Sequence, residues 1–195
     1  MKLLVADIGG TNARFAYQEK NNGDLANFAY LKCTDFDNIY DAIQFYQQTN
    51  NLDIKNMSIA VASTTKKDDI KFTNNHWQFK QSEVFKHFSV NKLIFVNDFV
   101  AQCLSLDSFY KDITENKILN DKLLNKYDLK TIRSGTPIKE APLLVTGPGT
   151  GLGVCTLLNI NNYPIAIEGE GGHSSFAPNS YLEIELLKFL RKKYN

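Results

Sequence analysis

Two short segments constrain this chain more than any other feature. They are Asp7-Ile8-Gly9-Gly10-Thr11-Asn12-Ala13-Arg14 near the start and Gly147-Pro148-Gly149-Thr150-Gly151-Leu152-Gly153 towards the end. Each is a glycine-rich turn with β-rich residues on both sides, 2–6 and 14–18 around the first, 143–146 and 153–158 around the second. Those flanks decide the fold class. The second turn lacks the lysine of G-x-x-x-x-G-K-[ST], its glycines are not spaced as G-x-G-x-x-G, and a strand follows it where both common nucleotide folds need a helix. Two strand-turn-strand loops on one chain suit a nucleotide held between two lobes.

The first loop opens a longer pattern. Residues 2–6, 14–18 and 27–32 read as a three-stranded antiparallel meander, broken by Gly9-Gly10 and by Asn21-Asn22-Gly23-Asp24. Asp37 is expected to cap a helix marked by Ile39, Ile43 and Tyr46, after which 56–62 is a strand. Residues 81–88 read as helix, 93–96 as a buried strand, and Asp98 stands where the next helix begins. The order is βββαβα, an α/β lobe. Residues 108–133, rich in Lys, Asp and Asn, read as a polar connection with some helix. A second β-rich block then contains 143–146, 153–158 and 163–167, and a last helix is announced by the capping pair Ser180 and Glu183 and by the apolar face of Ile184, Leu187 and Leu190. At 195 residues the chain has room for one large domain or two small ones, and the pattern divides it into 1–108 and 109–195.

Charge narrows the partners. Twenty-two Lys and Arg against 21 Asp and Glu leave a formal charge of +1, so no bulk field draws the chain to nucleic acid or an anionic membrane, and any polyanion must be gripped locally. Cys33, Cys103 and Cys155 lie far apart without C-x-x-C, which reads as buried thiols in a reducing compartment. The apolar run 3–6 meets Asp7 at once, too short for a signal segment, and the expected location is cytoplasmic.

Four constellations carry chemistry. In the first turn, Gly9 and Gly10 let backbone approach a bulky anion, Thr11 adds a hydroxyl, and Asp7 at a strand end suits a hydrated Mg²⁺. An ordinary hairpin would leave Asp7, Thr11 and Asn12 without a purpose. In the second turn, Gly149 and Gly151 are expected to pass close to phosphate in a backbone conformation of positive φ that a β-branched residue resists. Asn97-Asp98-Phe99 follows a buried strand and places a carboxylate where cleft chemistry in α/β proteins occurs, although Asp98 taken alone reads first as a helix cap. Glu168-Gly169-Glu170-Gly171-Gly172-His173 puts two carboxylates and an imidazole on a flexible loop, with a metal site as the weaker rival.

Taken together, these residues resemble the bacterial glucokinases of the hexokinase, Hsp70 and actin superfold. The resemblance runs in order from Asp7–Arg14 through Thr73-Asn74 with His76-Trp77, Asn97-Asp98-Phe99 and Gly147–Gly153, to Gly169–His173 with Phe176-Ala177-Pro178. It implies a ribonuclease-H-like lobe followed by the beginning of a larger one. It implies ATP and Mg²⁺ as cofactors and glucose as substrate. Asp98 would be the general base towards the sugar 6-hydroxyl, Asn97, Glu170 and His173 ligands of the other hydroxyls, and Gly9, Gly10, Thr11 and Asn12 with Gly149, Thr150 and Gly151 the phosphate-lining residues. No cysteine-rich zinc motif accompanies His173, which separates the chain from the repressor-ORF-kinase group.

Two departures shape the expectation of function. The stretch 108–133 is longer than the family's usual connection, and members of the family continue well past the last helix. The leading expectation is a glucokinase transferring the γ-phosphoryl of MgATP to glucose. The alternative is a truncated, non-catalytic sugar-binding relic or one half of a split kinase, with a second copy or a complementing C-terminal fragment as partner.

Overall fold

The computed structural model describes residues 2–19, 23–116, 130, 132–133, 135–136, 138, 141–148 and 151–194. The opening meander is β1 (Leu3–Ile8), β2 (Asn12–Gln18) and β3 (Leu25–Lys32), paired antiparallel. Helix α1 (Ile39–Thr49) leads to β4 (Asn56–Val61), and α2 (Gln81–His87) to β7 (Lys92–Asn97). Between them lies a small hairpin that the sequence pattern had not suggested, β5 (Asp69–Lys71) with β6 (Gln78–Lys80). Strands of this length carry too little periodicity to be distinguished from a turn.

The main sheet has the order β3-β2-β1-β4-β7. Strands β1, β4 and β7 run parallel, in a register that aligns Ile8, Val61 and Asn97. Their carboxyl ends therefore stop along one edge. On one face of the sheet, Leu4, Ile8, Phe15, Met57, Ile59 and Val61 join Ile39, Ala42, Ile43 and Tyr46 of α1 in a core that also takes Trp77 and Val84. This is the amphipathic logic of both periods, since strand residues at i and i+2 meet helix residues at i, i+3 and i+7. Tyr46 stacks on Phe15 with ring centroids 5.3 Å apart and donates its hydroxyl to the carbonyl of Asn27 at 2.9 Å.

Helix α1 corrects one expectation. Its cap is Asn38, whose side chain accepts the Asp41 amide at 3.0 Å, and Asp37 stands one residue too early to reach the first free amides.

Helix α3 (Asp98–Asn116) begins where β7 ends and leaves the first sheet. It extends through 108–116, so this part of the expected polar connection is helix, and the boundary expected after Ser108 falls inside one element. Residues 117–129 lie outside the described residues. Val100, Cys103 and Leu106 of α3 pack with Cys155, Leu157 and Val145 of a second sheet, β8 (Leu143–Pro148), β9 (Leu152–Ile160) and β10 (Tyr163–Gly169). That sheet is an antiparallel meander of order β10-β9-β8. Asn161 and Asn162, at φ 54° and 66°, make the tight link between β9 and β10, as a two-residue hairpin with the right-handed twist of its strands requires. Cys33, Cys103 and Cys155 are all buried and form no disulfide. Burial pushes the Cys103 thiol up to about 12, with the neighbouring Cys155 acting in the same direction.

The final helix, α4 (Tyr181–Tyr194), starts at the expected cap. The Glu183 amide donates to Ser180 Oγ at 3.2 Å, and Glu183 reaches back to accept the Asn179 amide. None of its residues is buried, and Ile184 and Leu190 remain 41% and 36% exposed.

The alternation along the parallel strands makes a sharp prediction. Ile59 is fully buried and Ile94, on the neighbouring strand, is 56% exposed. Ile59→Ala should cost about 2–5 kcal/mol in urea unfolding and Ile94→Ala no more than about 0.5. Equal losses at the two positions would mean that the register of β4 against β7 is wrong.

Candidate active site

The aligned ends of β1, β4 and β7 bring their connections to one edge, where the end of β10 meets them. The first is the turn Gly9–Thr11. The Gly9 amide donates to the Asn12 carbonyl at 2.9 Å, so it is spent within the hairpin and does not face an anion as the sequence suggested. The amides of Gly10 and Thr11 have no partner among the described residues. Around the turn, Asn75 donates to the Gly9 carbonyl at 3.2 Å and accepts the Trp77 amide at 3.0 Å. A Cβ on Gly10 would stand 3.0 Å from Asn74 Cβ and 3.1 Å from its carbonyl oxygen. The β5–β6 connection is thus the brace of the first turn, and Trp77 locks it by donating to the Phe36 carbonyl at 3.0 Å. Asn75 is a residue that sequence reasoning missed, because an Asn between Asn74 and His76 carries no signal of what it braces.

Asp7, the last residue but one of β1, forms an ion pair with Arg14 at 2.7 Å, both about half exposed. It supplies one carboxylate, which suits a hydrated ion that arrives with phosphate oxygens. Among the described residues no group of three or more His, Cys, Asp or Glu is placed to hold a metal by itself.

The second connection is Asn97-Asp98. Asn97 Oδ1 accepts the amides of Phe99 and Val100 at 3.0 and 3.3 Å, and its amide donates to the Ser63 carbonyl at 3.4 Å. Asn97 is therefore the side chain that closes the start of α3, the part Asp98 would have played as a simple cap. Asp98 Oδ1 accepts the Phe99 amide at 2.9 Å, and the Asn97 side chain also bonds to the Asp98 carboxyl. Burial raises the Asp98 carboxyl above its ordinary value, the Phe99 amide opposes that rise, and the nearby Asp7 carboxylate adds to it.

The third group comes from the second sheet. Glu168 and Gly169 end β10, and Gly171–His173 form a 3₁₀ turn directly after it. A Cβ on Gly171 would overlap Val154, and one on Gly172 would meet the Leu152 amide at 3.3 Å, so these glycines let the turn lie directly on the start of β9. His173 Nδ1 is 3.1 Å from Glu170 Oε2, with both side chains 82% exposed. Glu168 pairs with Lys66 of the β4–β5 connection at 2.5 Å, an ion pair that raises Lys66. Thr64, Lys66, Asn97, Glu168, Gly169 and Glu170 line a cleft of about 190 Å³. Asn97 and Glu170 are thereby brought together as expected, while His173 reaches the cleft's surroundings through Glu170. Thr64 and Lys66 are additions that nothing in the local sequence marked.

In the second turn, Gly149 and Thr150 lie outside the described residues. Gly151 has open space around a notional Cβ. That space is room for an anion.

A glucokinase family model matches residues 4–195. The chain belongs to the glucokinase family. A glucokinase of Neisseria meningitidis is 35% identical over 192 residues, covering 98% of this chain and 54% of that protein. The structure of a glucokinase from an Antarctic psychrotroph is 29% identical with a TM-score of 0.73, covering 99% of this chain and 57% of the other. A Balamuthia mandrillaris glucokinase solved in complex with glucose is 22% identical with a TM-score of 0.66, covering 100% and 56%, and shows the likeness of fold. The chain spans about half the length of the curated relatives it matches. The βββαβα sheet of order β3-β2-β1-β4-β7 is the ribonuclease-H-like lobe of the actin-like ATPase superfold. Among the described residues no helix is long and apolar enough to cross a membrane.

The environment of Asp98 has a consequence for stability in this glucokinase-family chain. The folded state holds the carboxyl proton more tightly than the unfolded chain, so the ionised form destabilises the fold at neutral pH. The cost vanishes below about pH 4, where both states are protonated. Asp98→Asn should therefore raise Tm by a few degrees at pH 7, with the gain shrinking as pH falls towards about 4. Scanning calorimetry across that range checks it, and a variant less stable at pH 7 would contradict the placement of this carboxylate.

Proposed function

We propose that the chain carries the acceptor side of a glucokinase, in which the γ-phosphoryl of MgATP passes to the 6-hydroxyl of glucose. One observation carries this reading. Asp98, half-buried and with its proton affinity raised, stands beside a cleft lined by Asn97 and Glu170 and between two hairpins that bear the glycine turns. On this reading residues 1–108 form the small lobe and 109–195 the beginning of the large one, with α3 as the element they share.

Each residue then has a task. Asp98 accepts the 6-hydroxyl proton as the oxygen attacks the γ-phosphorus and the bond to the β-phosphate oxygen breaks, releasing ADP. Its raised affinity for a proton suits that step, and general-base help of this kind contributes about 10²- to 10⁴-fold. Asn97, Glu170 and His173 hold the remaining sugar hydroxyls. Gly10 and Thr11 offer free amides to phosphate, with Gly9 and Asn12 closing their turn, and Gly149, Thr150 and Gly151 serve the opposite side. Mg²⁺ would neutralise charge on the nucleotide phosphates, with Asp7 holding it through water. The buried, unbridged cysteines support work in the reducing cytoplasm.

The cleft lined by Asn97, Glu168 and Glu170 also suits a second reading, in which this chain binds sugar without turning it over, as a relic or as one half of a split kinase completed by a second copy or a C-terminal fragment. Calorimetry with glucose and a coupled glucose 6-phosphate assay separate the two. For the kinase, Asp98→Asn should lower turnover at least about 100-fold and leave glucose affinity within about 2-fold, because the amide keeps its hydrogen bonds but cannot take the proton. Glucose binding without turnover in the wild-type chain selects the second reading. Absence of both binding and turnover rejects the sugar site.

A further inference from the structure

Gly147 of β8 and Gly153 of β9 face each other across the second hairpin as direct partners. Neither has positive φ, so nothing in the backbone asks for glycine at these two places. The neighbouring helix does. A Cβ on Gly153 would overlap the Phe99 ring, and one on Gly147 would lie 2.9 Å from Phe99 Cζ and 3.1 Å from Cε1. The paired glycines leave a bare patch of strand, and the aromatic ring occupies it.

Phe99 is the residue after Asp98, and its amide is the donor held by both Asn97 Oδ1 and Asp98 Oδ1. One residue thus touches two things. Its ring is seated on the strands that flank the second glycine turn, and its backbone holds the Asp98 carboxylate. We infer that Phe99 is a positioning residue that fixes the attitude of Asp98 towards the second glycine turn, through the seat made by Gly147 and Gly153. The inference rests on the kinase reading above and extends it.

The physical need is alignment between parts from different sheets. In-line phosphoryl transfer tolerates little error, since a misplacement of about 1 Å costs on the order of 100-fold. Asp98 comes from the end of the first sheet, and the turn expected to hold phosphate comes from the second. A contact of ring on bare backbone, with no side chain between, is shorter and stiffer than one between two flexible side chains. Phe99 also belongs to the cluster with Cys103, Cys155 and Leu157, so an ordinary packing role is the rival account.

A size swap distinguishes them. Wild type, Gly153→Ala, Phe99→Leu and the double variant are compared after circular dichroism has shown each to be folded. If Gly153→Ala does not fold, Gly147→Ala, whose methyl would overlap the ring less deeply, replaces it. The readouts are kcat and glucose Kd, together with the proton chemical shift of the Phe99 amide, which reports its bond to Asp98 whether or not the chain turns over. Positioning predicts that Gly153→Ala lowers kcat roughly 10- to 100-fold with glucose Kd within about 2-fold, and moves the Phe99 amide. The double variant should recover about 10-fold in kcat and most of the amide shift, because the smaller side chain makes room for the added methyl. An unmoved amide in Gly153→Ala, or a double variant no better than Gly153→Ala, overturns the proposal and leaves Phe99 as core packing. Lack of turnover in wild type counts against the kinase reading alone, and the amide shift with its recovery then decides the coupling.

Discussion

The junction between β7 and α3 is the constraint on which the rest depends. There the chain changes from a parallel strand of the first sheet to a helix that packs on the second, within the three residues Asn97, Asp98 and Phe99. A helix start leaves its first amides without partners, and at this junction they must be satisfied beside a half-buried carboxylate. Asn97 resolves the conflict by accepting two of them, and this frees Asp98 from acting as the cap. Had Asp98 closed the helix, its charge would have been spread over backbone amides and the carboxylate held as a weak base.

Electrostatics around this junction is arranged against stability. Asp98 is buried enough to resist ionisation and lies near Asp7, whose charge is partly answered by Arg14. A group raised in this way is a cost to the fold and an advantage to proton transfer, the usual tension at sites of chemistry. The Lys66 and Glu168 pair works differently. It links the first sheet's connection to the end of β10, and its exposed ammonium makes it a weak contributor to stability but a definite marker of where the two sheets approach.

The glycines divide by cause. Gly171 and Gly172 let the 171–173 turn lie on β9, Gly10 lets the first turn rest against Asn74, and Gly147 with Gly153 receive Phe99. All these reasons are close approaches of another part of the chain, and none is a positive φ. From the sequence a glycine-rich turn beside a strand is read as a backbone shaped for an anion, and for Gly151, which has open space, that reading remains available. For the flanking glycines the partner is protein. Phe99 is about fifty positions away from Gly147 in sequence, so no local pattern connects them.

What the sequence alone determined is what depends on near neighbours. The three opening strands, α1, the parallel strands β4 and β7 and the second meander follow from apolar periods of 2 and 3.6, and the start of α4 from the Ser180 and Glu183 pair, because these interactions span four residues or fewer. The order of glycine turns and the Asn97-Asp98 pair was legible for the same reason, and so was the family. The choice of Asn38 over Asp37 as a cap turned on a single residue of reach, which composition does not resolve. The tertiary structure decided which amides of the first turn are free, that Asn75 braces that turn, that Thr64 and Lys66 join Glu168 and Glu170 at one cleft, and that Phe99 sits between Gly147 and Gly153. Each of these depends on the register of parallel strands and on one helix crossing between two sheets. Such contacts join residues far apart along the chain, and their energies come from shape and burial that exist only once the sheets are in place.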